Sequence, residues 1–194
     1  MTRQVAYRLL TNYLKNKNLL KHSLAAGSSM RGICKFLIPC ATSKEIEKWG
    51  ITGLLHDIDY EKVQHDNKLD KHGQYLFQAP ENLQEIIPAE IVHAIKSHNF
   101  AGTKVMPESN MDWAITAVDQ LTGLIVACAL VHPDHKLQSL TPEFVLKRFN
   151  QAAFAKGANR NSIKYCEEKL HIPLEKFVGI VLTSMQEIHE ELGL

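Results

Sequence analysis

The sequence lacks the features that mark several common classes of protein. Its four cysteines are scattered, and no pair has the C-x-x-C spacing. This argues against a disulfide frame or a zinc knuckle and predicts reduced thiols in the cytosol. No run of five basic residues occurs, and the net charge is only +1. Broad binding to nucleic acid polymers or anionic membranes needs clustered positive charge, so neither partner is expected.

Long apolar runs and glycine-rich phosphate loops are also missing. The longest apolar run, Leu121 to Val131, is shorter than the ~20 residues needed to span a bilayer. The segment after Met1 is polar and amphipathic, unlike the apolar part of a signal peptide. These features predict a cytoplasmic protein. Neither G-x-x-x-x-G-K nor G-x-G-x-x-G occurs, so phosphate recognition would depend on other positive groups.

Apolar residues at helical spacing dominate the chain. No stretch alternates apolar and polar residues as a half-buried strand does, so the predicted fold class is all-α. We expect one domain over residues 1–194, with a metal-binding bundle at about 1–131 and a C-terminal helical cover at about 140–194. Within the bundle, residues 60–69 are predicted as a loop and residues 71–78 as a helix. The segment 112–131 is apolar nearly all round and should be central.

The dipeptide His56-Asp57 ends an apolar run, which is an awkward place for two polar side chains. Nitrogen and oxygen donors placed together suit a divalent metal ion. His22 lies upstream among small neighbours, and Asp119 lies downstream in the most apolar helix. Burying a bare carboxylate costs several kcal/mol, so Asp119 needs a cation. A metal ion is the simplest partner, and Arg31 is the alternative.

These four residues are therefore the predicted ligands of a divalent ion such as Mn, Fe, Mg, Zn, Ni or Co. Two histidines and two aspartates would leave open positions for water or substrate. Each residue also has an ordinary structural interpretation. His22 could be a core histidine bonded to a backbone carbonyl, and the His56-Asp57 pair could simply end a helix.

The order His…His-Asp…Asp on an all-α chain resembles the HD superfamily of metal-dependent phosphohydrolases. The resemblance is to a bacterial group of predicted HD-superfamily hydrolases, and it extends over essentially the whole chain. It is carried by the segments Lys21–Ala25, Gly53–Glu61, His72-Gly73, Ala94–Asn99, Ala117–Ile125, Met185–Ile188 and Glu191–Leu194. It implies an HD-domain-like helical bundle with additional C-terminal helices. It also implies that His22, His56, Asp57 and Asp119 are the ligands of a first metal ion.

The resemblance further implies an enzyme. The predicted function is hydrolysis of a nucleotide or another small phosphate ester through a metal-activated water. His56 and Asp57 are the predicted catalytic residues, with Asp57 bridging metal ions or orienting the water. Asp59 and Glu61 are nearby carboxylates that could assist proton transfer. Two alternatives stay open, namely an HD-type di-iron oxygenase and a nucleotide-binding module without turnover.

Further histidines lie between the His-Asp doublet and the last aspartate. His72 and His98 stand where two-metal HD proteins place extra ligands, and they are the predicted ligands of a second ion. The Gly-Tyr-Pro signature of one such group is absent, which argues against that ion. Helical spacing puts His98 on an apolar face and His93 on a polar one. Arg31, Lys62 and His98 are the predicted substrate-binding residues.

Overall fold

The computed structural model describes residues 1–78 and 80–194, and helices account for its regular structure. No strand occurs in these residues, so the all-α prediction is confirmed. The α-helices are α1 (Arg3–Tyr13), α2 (Lys17–Leu37), α3 (Ser43–Leu55), α4 (Tyr60–His65), α5 (Ala89–His98), α6 (Phe100–Thr103), α7 (Asn110–Val131), α8 (Pro142–Phe149), α9 (Arg160–Glu168), α10 (Leu174–Gln186) and α11 (His189–Leu192). Short 3₁₀ turns lie at Leu69–Lys71, Tyr75–Phe77, Leu83–Glu85 and Leu137–Ser139.

Helix α7 is the central helix, as its apolar sequence predicts. It begins at a capping box in which the Ser109 and Asp112 side chains each accept a hydrogen bond from the other residue's backbone N–H. By length and composition it could cross a membrane, but 61% of its most apolar stretch is buried inside the protein. Such burial is typical of a core helix.

Helices α2 and α3 pack with their backbones almost in contact. A Cβ atom at Gly53 would lie only 2.5 Å from the carbonyl oxygen of Ala26, so only glycine fits at this crossing. A Cβ atom at Gly27 would lie 3.0 Å from the carbonyl oxygen of Gly50. This close approach brings the start of α2, which carries His22, near the end of α3, which His56 follows directly.

Two apolar clusters fill the interior. The larger one contains buried residues of α2, α7, α9 and α10, so the C-terminal helices share a core with the bundle. The smaller cluster contains buried residues of α1, α3 and α5 and of the 3₁₀ turns that precede α5. The two clusters adjoin at α2, whose Leu24 packs against both.

The chain between α3 and α5 differs from the sequence prediction. Residues 60–65 form a helix, and residues 71–78, predicted as a helix, form 3₁₀ turns on either side of Gly73 at φ +87°. The cause is Asp59, whose buried carboxylate accepts hydrogen bonds from the backbone N–H groups of Gly73 and Tyr75, each at 2.9 Å. These donors would otherwise continue a helix.

Candidate metal centre

The four predicted ligands of the first ion lie together although they are far apart in the chain. His22 lies in the second turn of α2, Asp119 in the middle of α7, and His56 and Asp57 directly after α3. His22 Nε2 is 3.0 Å from Asp119 Oδ1 and 3.1 Å from His56 Nε2. It is 3.5 Å from Asp57 Oδ2. These donor atoms form a group that could hold a metal ion.

Arg31, the alternative partner for Asp119, lies elsewhere. Its guanidinium pairs with Glu47 at 3.6 Å. The Asp119 carboxylate instead faces histidines, with Oδ1 at 3.0 Å from His22 Nε2 and 3.5 Å from His56 Nε2. Arg31 is therefore not the cation that neutralises Asp119.

A second group of donors consists of Asp57, His72 and His98. His72 Nε2 lies 3.1 Å from Asp57 Oδ1 and 3.1 Å from His98 Nε2. His98 Nε2 lies 3.7 Å from the same carboxylate oxygen. Asp57 belongs to both groups, so one carboxylate joins two adjacent clusters that could each bind an ion.

The register of α5 separates His98 from His93 as the spacing predicts. His98 is buried and lines the centre. The side chain of His93 is 34% exposed, and its Nδ1 lies 3.1 Å from Asp112 Oδ2 at the start of α7. His93 thus supports a helix start, whereas His98 belongs to the centre.

Three of the imidazole rings are held through Nδ1. His56 and His98 each donate from Nδ1 to a carbonyl oxygen three residues earlier, at 2.8 and 2.5 Å, and His72 donates to Asp59 at 2.8 Å. Because carbonyl and carboxylate oxygens only accept, a neutral ring presents its electron pair at Nε2. The Nε2 atoms of His72 and His98 face each other at 3.1 Å. Two such electron pairs repel, so this contact needs positive charge, either a proton on one ring or a metal ion held by both. The donor set fits a metal ion.

The carboxylates control the charge of the buried histidines. Burial alone lowers the pKa of His56, but the Asp57 and Asp119 carboxylates together outweigh burial and raise it to about 9. Burial likewise opposes charge on His72, yet hydrogen bonds to Asp57 and Asp59 raise its pKa to about 10. Burial and the charges on neighbouring histidines lower the pKa of His98 to about 4. His98 is therefore neutral at pH 7 and free to bind an ion through Nε2.

The two carboxylates of the centre remain ionised although they are buried. Burial raises the pKa of Asp57, but the charge on His56 and the hydrogen bond with His72, together with His22, override it and hold this pKa well below its usual range. For Asp119, hydrogen bonds with His22 and His56 outweigh burial in the same way and lower its pKa. The centre thus stabilises positive charge, which a proton or a metal ion can supply.

Asp59 and Glu61, the two carboxylates that could assist proton transfer, both form hydrogen bonds that hold other parts of the chain in place. Asp59 is fully buried and holds the His72 ring through Nδ1. Glu61 is directed away, and its carboxylate accepts hydrogen bonds from the backbone N–H groups of Lys15 and Asn16. The H-D-x-D spacing indicates a second carboxylate near the doublet, but it does not show which histidine that carboxylate reaches.

Two adjoining cavities open at the centre. The first, of about 360 Å³, is lined by His22, Asp57, His72, His98, Asp119, Leu19, Tyr60, Asn99 and Gln120. The second, of about 380 Å³, shares His22, Asp119 and Gln120 with the first. Both volumes lie within the range of small-molecule pockets, about 300 to 1,000 Å³. A larger cavity of about 900 Å³ lies between α2 and α10, but none of the donor residues lines it.

Of the three predicted substrate-binding residues, the structure brings only His98 to the centre. Arg31 lines the large cavity between α2 and α10, because nine residues of helix carry it about 13 Å along α2 from His22. Lys62 is half-buried on α4 and pairs with Asp66 at 3.2 Å. Neither cation lines a cavity that opens on the donor atoms.

The fold and the centre together define a class: an all-α protein with a buried group of histidines and aspartates that could hold metal ions. No known protein family, curated protein or solved structure matches the chain. The function must therefore be inferred from the donor atoms and the cavities themselves.

Proposed function

We propose that the protein is a metal-dependent phosphohydrolase of the HD superfamily that acts on a nucleotide or another small phosphate ester. His22, His56, Asp57 and Asp119 bind one divalent ion, and Asp57, His72 and His98 bind a second. The observation that carries the proposal is the shared Asp57 carboxylate, which has Oδ2 at 3.5 Å from His22 and Oδ1 at 3.1 Å from His72. A bridged pair of ions is a common arrangement for hydrolysis at phosphorus.

The residues of the chain have distinct roles in this reaction. Divalent ions supply Lewis-acid chemistry, which neutralises charge on a phosphoryl group and acidifies water. Asp57 fixes the spacing of the two sites, and Asp59 fixes the orientation of the His72 ring. Tyr60 and Asn99 line the cavity beside the centre and are neutral hydrogen-bonding groups. Hydrolysis breaks the ester P–O bond and yields an alcohol and phosphate.

The second group of donors also favours another candidate, a di-iron oxygenase of the HD type. Such an enzyme likewise needs two ions close to one carboxylate, and the ligand residues are the same. Iron-loaded protein would then be coloured and would consume O₂. A nucleotide-binding module would instead bind its ligand with no turnover.

The proposal is tested by elemental analysis of protein purified without chelator, followed by a screen of phosphate esters for phosphate release. We expect bound divalent metal and phosphate release that chelator abolishes and added metal restores. Asp119→Ala should lose both, whereas Asp134→Ala, which removes an exposed carboxylate in the turn after α7, should keep both. Protein that binds no metal, or that consumes O₂ and releases no phosphate, would overturn the proposal.

A further inference from the structure

No neighbouring element occupies the space that a side chain at Gly123 would fill. Gly123 lies in the interior of α7, one turn after Asp119, where glycine is destabilising relative to alanine. At Gly53 the backbone of α2 occupies the space of a side chain, whereas Gly123 is exposed and a Cβ atom there would extend into open space. Gly123 instead lines the second cavity, which adjoins the centre.

The opposite wall of this cavity is the loop between α8 and α9. It contributes Ala155, Gly157 and Ala158, and a Cβ atom on Gly157 would also meet nothing within 4 Å. Arg160 fixes the loop by donating to the carbonyl oxygens of Phe154, Ala155 and Ala158 at 2.5 to 2.7 Å. The wall is therefore ordered, yet it places no large side chain in the cavity.

Gln120 connects this wall to the metal centre. Its Nε2 donates to Asp119 Oδ2 at 2.6 Å, and its Oε1 accepts from the backbone N–H of Asn159 at 2.8 Å. Because the two cavities share His22, Asp119 and Gln120, a ligand that reaches the centre can extend between α7 and the loop.

The residues that line the two cavities restrict the charge of the ligand group that binds beside the centre. Within the part of the chain that the structure describes, no lysine or arginine lines either cavity at the centre. Lys156 lies on the loop but is exposed, and Arg160 is engaged by main-chain carbonyls. A second phosphate placed near Asp119 would have no basic partner and would lie beside a carboxylate, which repels it.

We propose that the cavity between Gly123 and the loop binds the uncharged organic group of a substrate that carries a single phosphate. The absence of a side chain at Gly123 sets the size of the group that fits. This inference rests on the proposed function, because it assumes that the phosphate lies at the metal centre.

Binding of phosphonates, which cannot be hydrolysed, tests the inference without turnover. Calorimetric titration of metal-loaded protein compares methylphosphonate with 1-naphthylmethylphosphonate. Gly123→Leu should weaken naphthylmethylphosphonate binding by about tenfold or more and leave methylphosphonate binding unchanged. Gly123→Ala should give a smaller loss. Gly179→Leu is the matched control, because Gly179 lies in the interior of α10, away from the centre, with only one atom near its Cβ position.

Gly157→Leu, on the opposite wall, should reproduce the selective loss and provides a second variant if Gly123→Leu does not fold. Equal weakening of both phosphonates, no weakening of the larger one, or failure of the wild type to bind either would overturn the inference. Tighter binding of the diphosphate analogue of the same organic group, lost in Lys156→Ala, would also overturn it. Selective phosphonate binding with no ester hydrolysed would refute the proposed function and leave the pocket assignment standing.

Discussion

The two groups of donor side chains are held in different ways. In the first group, His22 and Asp119 lie within the long helices α2 and α7, which pack in the larger apolar cluster. In the second group, His72 lies outside any α-helix, between two 3₁₀ turns. Its ring is held through Nδ1 by a hydrogen bond to Asp59 at 2.8 Å and contacts Asp57 and His98 through Nε2. Asp57 is the one residue common to both groups.

This difference predicts different tolerance to change. The geometry of the first group follows from helix packing, which many apolar contacts stabilise. The second group depends on the polar contacts of His72, which follows a turn, Leu69–Lys71, that has no buried residue; the next apolar anchors of this segment are Leu76 and Phe77. Segments with few buried apolar contacts open more readily than core helices. We therefore expect that the second group can be disrupted while the first remains, except where Asp57 itself is removed.

The largest effect is expected for Asp57→Ala, because this substitution removes a ligand from both groups. Both ions should be lost, and turnover of the ester found in the screen should fall by about 1,000-fold or more. Elemental analysis and phosphate release measure the two effects. Asp70→Ala is the matched control, since Asp70 is an exposed carboxylate in the nearby turn. Full retention of one ion by Asp57→Ala would show that the groups are independent.

The sequence predicted the helical part of the centre because a helix has a fixed period. His22, His98 and Asp119 all lie within long amphipathic or apolar patterns, and the period determines which face each one occupies. The same period separated His98 from His93. The all-α fold class followed from the same patterns.

The position of His72 could not be derived in this way. The segment around it was predicted as a helix, and only the tertiary contact of Asp59 with the backbone of Gly73 and Tyr75 prevents one. Likewise, no local pattern shows that Arg31 pairs with Glu47 on another helix. Hydrogen bonds and ion pairs between distant segments depend on packing, which a single sequence does not reveal.

The second-largest effect is a difference in turnover between substitutions of two histidines of α5, His98 and His93. His98→Ala removes a buried donor from the second group and should reduce turnover by about 100-fold, as expected for loss of a positioned catalytic or electrostatic group. His93→Ala should leave turnover nearly unchanged. It should instead lower the free energy of unfolding by about 1 kcal/mol through loss of its contact with Asp112. Equal losses of turnover in the two variants would contradict the assigned register.

A smaller effect is expected for Asp59→Asn, which weakens the hydrogen bond that orients His72. Affinity for the second ion should fall by about 10- to 100-fold, as is typical when a residue behind a metal ligand is changed. Affinity for the first ion should remain, because His22 and Asp119 do not contact Asp59. Metal titration followed by calorimetry distinguishes the two sites. Glu61→Gln, a nearby acid that contacts the start of α2, should change neither affinity.

The smallest effect concerns local stability after removal of metal. An ion at 100 times its dissociation constant stabilises the native state by about 2.7 kcal/mol, so chelation should lower the melting temperature. Hydrogen exchange should show which residues lose stability when the metal is removed. Amides of residues 69–78 should exchange faster because the ion at His72 no longer joins this segment to α5, whereas amides in the middle of α7 should stay protected. In Asp57→Ala, chelation should change neither measurement. Faster exchange in α7 and not in residues 69–78 would show that the helical group is the weaker one.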